Sequence, residues 1–306
     1  MSSEHIEKNE KNPEEQANIS EFIGKVPAAL KAGLYIVATP IGNLRDISLR
    51  ALDVLRAADT IICEDTRVTR KLLHAYNIKG RLQSYNDHSD ETRRDAILSL
   101  LEEGRVVALV SDAGMPLISD PGYKLVRECA DRDLYMTTLP GASAPLAALQ
   151  LSAFPSDRFS FLGFLPNKSG ARQKLLQHWA EVETTLLAFE SAPRLIAALK
   201  DIEAVLGNRE VAVVREITKL YEESRRDMVG ALVLHYEEHG LPKGEIVLVI
   251  SPPEEKEFGD DELTDMIRDA LETMKNKDAA KHVAEKTGVK KTILYDIALA
   301  VSKGEA

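Results

Sequence analysis

Charged side chains gather where apolar runs end in this sequence. Glu64, Asp65 and Arg67 follow Thr60–Cys63, Glu190 follows Thr184–Phe189, and Arg215, Glu216 and Lys219 follow Val211–Val214. Glu245 opens the run that ends at Ile250. Carboxylates and cations carried to one edge of a sheet can exchange a proton with a ligand or hold developing charge. Each residue alone reads as readily as a cap, a turn former or an ion-pair partner. It is their clustering at the same end of several strands that points to a site. Glu64 and Arg67 are the first catalytic candidates, Arg215 and Glu216 the next. A second stretch is built differently. Val110–Gly122, Val-Ser-Asp-Ala-Gly-Met-Pro-Leu-Ile-Ser-Asp-Pro-Gly, leaves an apolar run through turn-forming residues, with Asp112 and Asp120 beside glycine or proline and with Gly114 and Gly122 allowing close approach. A strand that ends this way is where open α/β sheets bind ligands; an ordinary strand-to-helix connection has the same composition.

The elements that must position these residues follow from periodicity. Leu34–Ala38, Thr60–Cys63, Arg105–Val110 and Leu134–Leu139 are short, apolar and rich in β-branched residues, as buried parallel strands are. Between them, Ser48–Ala57, capped by Asp46 or Ser48, and Glu91–Glu103 repeat apolar residues at helical spacing. Strand, polar loop, helix, strand is the pattern of a parallel α/β sheet. Pro140–Ala144 supplies small residues where a helix can start close to a ligand. A second unit reads as strands at Arg158–Leu165, Thr184–Phe189, Val211–Val214 and Gly244–Ile250, with a basic loop at Asn167–Arg172 and an amphipathic helix at Leu195–Leu206. Pro252-Pro253 closes it. The expected organisation is a loosely attached tail at 1–32, an N-terminal α/β domain at 33–150, a C-terminal α/β domain at 151–252 and a helical extension at 253–306. In that extension a helix ends at Gly288 and another starts behind Lys290 and Lys291. This reads as a helix-turn-helix with a recognition-type start, or as a small bundle with a solvated lysine face.

Composition excludes several classes. No run is long enough to span a membrane, and the polar, mixed-charge N-terminus lacks a secretory signal. The two cysteines, Cys63 and Cys129, lie in or beside apolar sequence and read as reduced thiols of a cytoplasmic protein. A net charge of −10 argues against nucleic-acid binding through bulk charge, leaving room for a local basic surface. There is no Gly-x-Gly-x-x-Gly and no Walker A sequence, so dinucleotide and P-loop chemistry are disfavoured. Loops of Thr, Ser, Pro, Gly and Ala suit a ligand with adenosine and amino-acid parts better than a triphosphate. His235 and His239 are one helical turn apart without the glutamate of a protease motif, and Asp87-His88 has no cysteine or histidine beside it. No metal is expected.

Read in order, Leu34–Leu44, Glu64–Arg67, Ser111–Gly122, Pro140-Gly141, Gly163–Pro166, Phe189–Ser191, Arg215–Lys219 and Lys243–Glu245 resemble the ribosomal RNA small subunit methyltransferase I family of the tetrapyrrole methylase superfamily. The helical tail resembles that family's C-terminal extension. The resemblance implies a two-domain tetrapyrrole-methylase-like (class III) methyltransferase fold with a small C-terminal helical domain. It implies S-adenosyl-L-methionine as cofactor, and 2′-O-methylation of a cytidine in the decoding region of 16S rRNA as the reaction. Asp112, Gly114 and Pro116 match the superfamily's cofactor loop and Ser143 and Ala144 its second; Thr39, Pro40, Gly42 and Phe189 border the same cleft. The implied partners are 16S rRNA or the small ribosomal subunit and a second copy of the chain as a homodimer, without DNA or membrane. One departure is Met115, where the family usually has threonine. A small-molecule methylase of the same fold and a ribosome-binding protein without catalysis are the competing readings; the Lys168–Arg172 loop and the lysine-bearing tail favour RNA over the first.

Overall fold

The computed structural model describes residues 30–86, 91–254 and 258–304. The expected tail falls almost wholly outside these residues, as do Asp87 and His88. The chain divides into two compact units, 1–252 and 253–306. No helix among the described residues is long and apolar enough to cross a membrane.

The first unit holds two five-stranded sheets. Strands β1 (Gly33–Val37), β2 (Thr60–Cys63), β3 (Leu82–Ser84), β4 (Val106–Val110) and β5 (Met136–Leu139) form the first, in the order β3-β2-β4-β1-β5. Every pairing in it is parallel. Alternation along β4 explains why its sequence is apolar throughout. Val106, Ala108 and Val110 face α1 (Leu49–Ala57) and α2 (Thr66–Ala75), whereas Val107 and Leu109 face α3 (Glu91–Glu102) and α4 (Tyr123–Asp131). The chain leaves β1 toward β2 and leaves the neighbouring β4 in the opposite sense toward β5. That reversal opens a crevice at the strand ends, where parallel sheets bind ligands.

Helix α5 (Ala144–Ser152) follows β5 but packs against the second sheet, through Ala148 and Leu149. It runs through the expected 150/151 boundary, because its apolar face is needed to cover the inner side of the next sheet. That sheet consists of β6 (Phe159–Phe164), β7 (Thr185–Ser191), β8 (Glu210–Arg215), β9 (Glu223–Met228) and β10 (Glu245–Ile250), in the order β6-β7-β10-β8-β9. Only β6 and β7 are parallel. Its outer face is covered by α6 (Ser169–His178), α7 (Leu195–Leu206) and α8 (Val229–His239).

The stretch expected as a basic loop at Asn167–Arg172 is instead the start of α6, with Lys168 as its N-cap residue. Arg172 is buried, its Nε donating to Asp201 Oδ2 at 2.7 Å and its Nη1 to the Pro166 carbonyl at 3.1 Å. A guanidinium committed in this way fastens α6 to α7 and offers nothing to RNA. Of the two basic residues in the stretch, Lys168 is the one that stays exposed and open to RNA.

The second unit is three helices, α9 (Asp260–Leu271), α10 (Asn276–Thr287) and α11 (Lys291–Lys303), packed on Leu263, Ile267, Val283, Leu294 and Ala298. Gly288 ends α10 in the left-handed region, at φ 72°, which makes the tight turn into α11 possible. Lys290 and Lys291 stand at the start of α11, and Ile293 is exposed one turn on.

Candidate active site

The loops after β1 and β4 are joined. The Thr39 N–H donates to the Gly114 carbonyl at 2.9 Å, and the Gly114 N–H returns a bond to the Thr39 carbonyl at 3.0 Å. The Thr39 hydroxyl donates to the Ser111 carbonyl and the Ser111 hydroxyl to the Gly114 carbonyl, at 3.2 and 2.9 Å. Gly114 sits at φ 82°, and a Cβ there would lie 3.2 Å from Ile41 Cγ2, so the close approach requires glycine. Farther along the loop two residues other than glycine, Leu117 and Ser119, are held at φ 73° and 68°. Backbone of this kind costs free energy and persists only where the surroundings impose it.

A cleft of about 340 Å³ opens between these loops and the ends of β7 and β10 in the second sheet. Asp112, Gly114, Asp120, Ser143 and Ala144 line it from the first sheet's side, and Phe189, Glu190, Ile217 and Glu245 from the second's. Phe189 is wedged between Phe161 and Phe164, with ring centroids 5.0 and 5.1 Å away, giving the cleft an aromatic wall. Four lining residues are carboxylates, and none of the described lining residues is Lys, Arg or His. Such walls repel polyphosphate and favour a ligand with positive charge and apolar surface.

The carboxylates are not equivalent. Asp112 Oδ1 accepts from the Asp65 N–H at 3.2 Å, and burial pushes its carboxyl up. Asp120 is pushed up to about 6, first by burial and then by the charges of Glu64 and Asp112. Glu190 is buried; its Oε1 accepts from Arg194 Nε at 2.6 Å and from the Ser191 N–H at 2.7 Å, while Oε2 has no hydrogen-bond partner among the described residues. Glu245 is paired with Lys219 Nζ at 2.8 Å, and Lys219 also holds Glu216 at 2.9 Å.

Of the residues singled out as cofactor contacts, Asp112, Gly114, Ser143, Ala144 and Phe189 line the cleft. Thr39, Pro40, Gly42 and Pro116 are not among the lining residues; they belong to the loops that carry them, with Thr39, Pro40 and Pro116 buried and Gly42 exposed. Gly42 lies so close to the second sheet's β8–β9 connection that a Cβ would be 2.5 Å from Lys219 Cγ. Beside it the Asn43 N–H donates to the Thr218 hydroxyl at 3.1 Å, tying the loop after β1 to the second sheet. None of Glu64, Arg67, Arg215 and Glu216 lines the cleft. Glu64 is exposed at the end of β2, and Arg67 pairs with Asp65, whose carboxyl it holds down at about 2. Arg215 is held by Glu223 at 2.7 Å. Glu216, at φ 50°, turns its carboxylate to Lys219 and to the Glu245 N–H, which keeps its own carboxyl low. Asp120 carried a signal in its Asp-Pro-Gly, but the two left-handed residues that turn it back into the cleft have no sequence signature. His235 and His239 stack at 4.4 Å on α8, with His239 exposed.

Residues 33–233 match the family described as Tetrapyrrole (Corrin/Porphyrin) Methylases, and residues 257–302 match the RsmI C-terminal HTH domain. Over 270 residues the chain is 53% identical to the ribosomal RNA small subunit methyltransferase I of Erythrobacter litoralis, covering 88% of this chain and 95% of that relative. The protein of the same name from Rickettsia prowazekii is 49% identical over 222 residues, covering 72% and 79%. Among solved structures, a diphthine synthase superposes with a TM-score of 0.57 at 16% identity, over 71% of this chain and 89% of that one, a likeness of fold alone. The expected α/β tetrapyrrole-methylase fold with a helical C-terminal region is the one found. With sequence likeness along most of its length and the fold in agreement, the chain belongs to the ribosomal RNA small subunit methyltransferase I family of tetrapyrrole methylases.

Proposed function

We propose that this chain transfers a methyl group from S-adenosyl-L-methionine to the ribose 2′-oxygen of a cytidine in the decoding region of 16S rRNA. The observation that carries the reading is the cleft: four carboxylates, an aromatic wall and backbone-rich loops, with no basic residue among those described as lining it. That donor set fits a molecule bearing a sulfonium, an ammonium and an adenosine. When bound, this cofactor supplies an electrophilic methyl carbon. Asp112, Gly114, Ser143, Ala144 and Phe189 would hold it, with Thr39, Pro40, Gly42 and Pro116 shaping the same loops. Phe189 offers a ring face, and the glycine and small residues bring backbone groups within reach.

Glu64, Arg67, Arg215 and Glu216 stand outside the cleft; Arg215 and Glu216 are held in ion pairs, and Arg67 is the one assigned to the RNA. The Arg67 side chain is 83% exposed, so it can meet an RNA phosphate. The 2′-hydroxyl is the feature that tells RNA from DNA, and reaching it requires a nucleotide splayed from its stack. The lysines at the start of α11 supply a further phosphate contact, and a homodimer is the proposed assembly. The small ribosomal subunit or its 16S rRNA is the substrate particle, which places the enzyme in the cytoplasm.

Mass spectrometry of 16S rRNA from cells with and without this gene tests the reading. One 2′-O-methylcytidine should vanish with the gene and return when the purified protein and S-adenosyl-L-methionine are added. An unchanged methylation map would overturn it in favour of a small-molecule substrate or of ribosome binding without turnover.

A further inference from the structure

We propose that Asp120, which the loop after β4 turns back into the cleft, is the catalytic proton acceptor for the ribose hydroxyl. The assignment rests on the reading of the chain as an RNA 2′-O-methyltransferase and names the base for that reaction.

Elimination among the four cleft carboxylates leads to it. Glu190 is tied to Arg194 and to the Ser191 N–H, at 2.6 and 2.7 Å. Glu245 is paired with Lys219 at 2.8 Å, and its side chain is 81% exposed. Asp112 spends one oxygen on the Asp65 N–H. A cation or N–H donor stabilises a carboxylate and makes it a poorer base, as Arg67 does to Asp65. Among the described residues no cation pairs with Asp120, and the polar group beside it is the neutral Ser111 hydroxyl, whose own proton goes to the Gly114 carbonyl. The charged groups facing it are Glu64 from the end of β2 and Asp112 from its own loop, both anionic. Arg67, from α2, pairs with Asp65 and not with Asp120. From the second sheet the loop meets Gly163, where a Cβ would lie 3.6 Å from Ser119 Oγ, and the neutral Phe164 completes that wall.

The backbone supports the same assignment. Leu117 and Ser119 both occupy the left-handed region immediately before Asp120, and strain of this kind concentrates at working residues. Burial and the two anionic neighbours then bring its carboxyl to about 6, close to the pH at which a general base is most effective. In the step, the 2′-oxygen forms a bond to the methyl carbon while its O–H bond breaks and the proton passes to Asp120. The carbon–sulfur bond of the sulfonium donor breaks, and its electron pair stays on sulfur as a neutral thioether. The protonated Asp120 returns its proton to water.

The test uses the full-length protein, small ribosomal subunits and S-adenosyl-L-methionine. Single-turnover methylation by the wild type should fall on the acid side with a one-proton limb near pH 6. Asp120→Asn should lose roughly 10²–10⁴-fold in rate together with that limb, while binding the methyl donor within about threefold of wild type by calorimetry. Glu64→Gln, at an exposed position, should move the limb to lower pH. Independently of turnover, ¹³C NMR of aspartate-labelled protein should show one carboxyl titrating near pH 6 that is missing from Asp120→Asn and displaced in Glu64→Gln. Asp120→Asn working within threefold of wild type, a limb that survives in it, or no aspartate titrating above pH 5 would each overturn the assignment. A wild type that binds the donor yet methylates no rRNA would instead overturn the reaction on which the assignment rests.

Discussion

Gly141 lies in the turn between β5 and α5, two residues before the cleft-lining Ser143, and a single methyl group added there should be felt by the ligand. A Cβ at this position would meet Ala38 Cβ at 2.8 Å, which is about 0.6 Å inside the 3.4 Å at which ordinary contact begins. Gly141 is not in the left-handed region, so alanine brings no backbone penalty and the overlap acts alone. Neither partner can swing away, because both atoms are Cβ atoms fixed to backbone. Ala38 follows β1, pinned by parallel pairing to β4 and β5, so the Pro140–Ser143 turn must move instead. That turn carries Ser143 and Ala144 into the cleft. Forcing one extra methyl group into a packed contact costs about 1–3 kcal/mol, and about 1.4 kcal/mol of it, taken up by the turn that presents Ser143 and Ala144, should weaken S-adenosyl-L-methionine binding roughly tenfold. Titration calorimetry of Gly141→Ala would measure this. Gly170→Ala is the control, since nothing lies within 4 Å of its Cβ and it sits in the first turn of α6, where alanine stabilises by about 0.5–1 kcal/mol. Equal affinities for the wild type and Gly141→Ala, with a normal melting temperature, would show that the turn does not position the ligand.

Other consequences can be measured directly. Because the Asp120 carboxyl is raised from 3.8 to about 6, the folded state binds its proton more tightly than the unfolded chain, and the stability this gives is full below about pH 4 and lost as pH rises through about 6. Asp120→Asn does not titrate, so its melting temperature should exceed that of the wild type by about 2–4 °C at pH 7.5, roughly 1 kcal/mol after discounting for solvent screening, and the gap should shrink toward pH 4. Asp201→Ala leaves Arg172 buried without its carboxylate and should destabilise by about 3–5 kcal/mol in denaturant melts; a loss below about 1 kcal/mol would mean that water replaces the pair. Lys290→Glu with Lys291→Glu should weaken binding to 16S rRNA and reduce the salt dependence of log affinity by about two, and an unchanged slope would remove the start of α11 from the RNA surface.

The parts of the fold that the sequence announced are those whose residues have one job. β1, β2 and β4 are buried on both faces, so their apolar runs could be read directly, and Leu195–Leu206 was legible as a helix to the residue. β9, with the sequence Glu-Ser-Arg-Arg-Asp-Met, was not legible, because an edge strand satisfies its backbone on one side and can be polar on its exposed face. β3 is a second edge strand, only three residues long. Asn167–Arg172 misled because a guanidinium looks the same in sequence whether solvated or buried against Asp201. The site was legible in its loops and less so in its charges. Asp112, Ser143 and Phe189 could be placed from motif and strand end, but which carboxylate lacks a cation depends on contacts such as Lys219 to Glu245, made across more than twenty residues of chain.

The reciprocal pair between Thr39 and Gly114 joins positions far apart in the chain, and it bears on how the cleft can breathe. Two backbone bonds shared by two loops cannot open singly, so the loops after β1 and β4 form one cooperative unit with the strands they extend. Amide hydrogen exchange at Thr39 and Gly114 should then follow unfolding of the whole sheet, not fraying of a surface loop. The ordering entropy of this half of the cleft is accordingly settled when the protein folds. A ligand that enters finds it already assembled and spends its binding energy on the opposite wall.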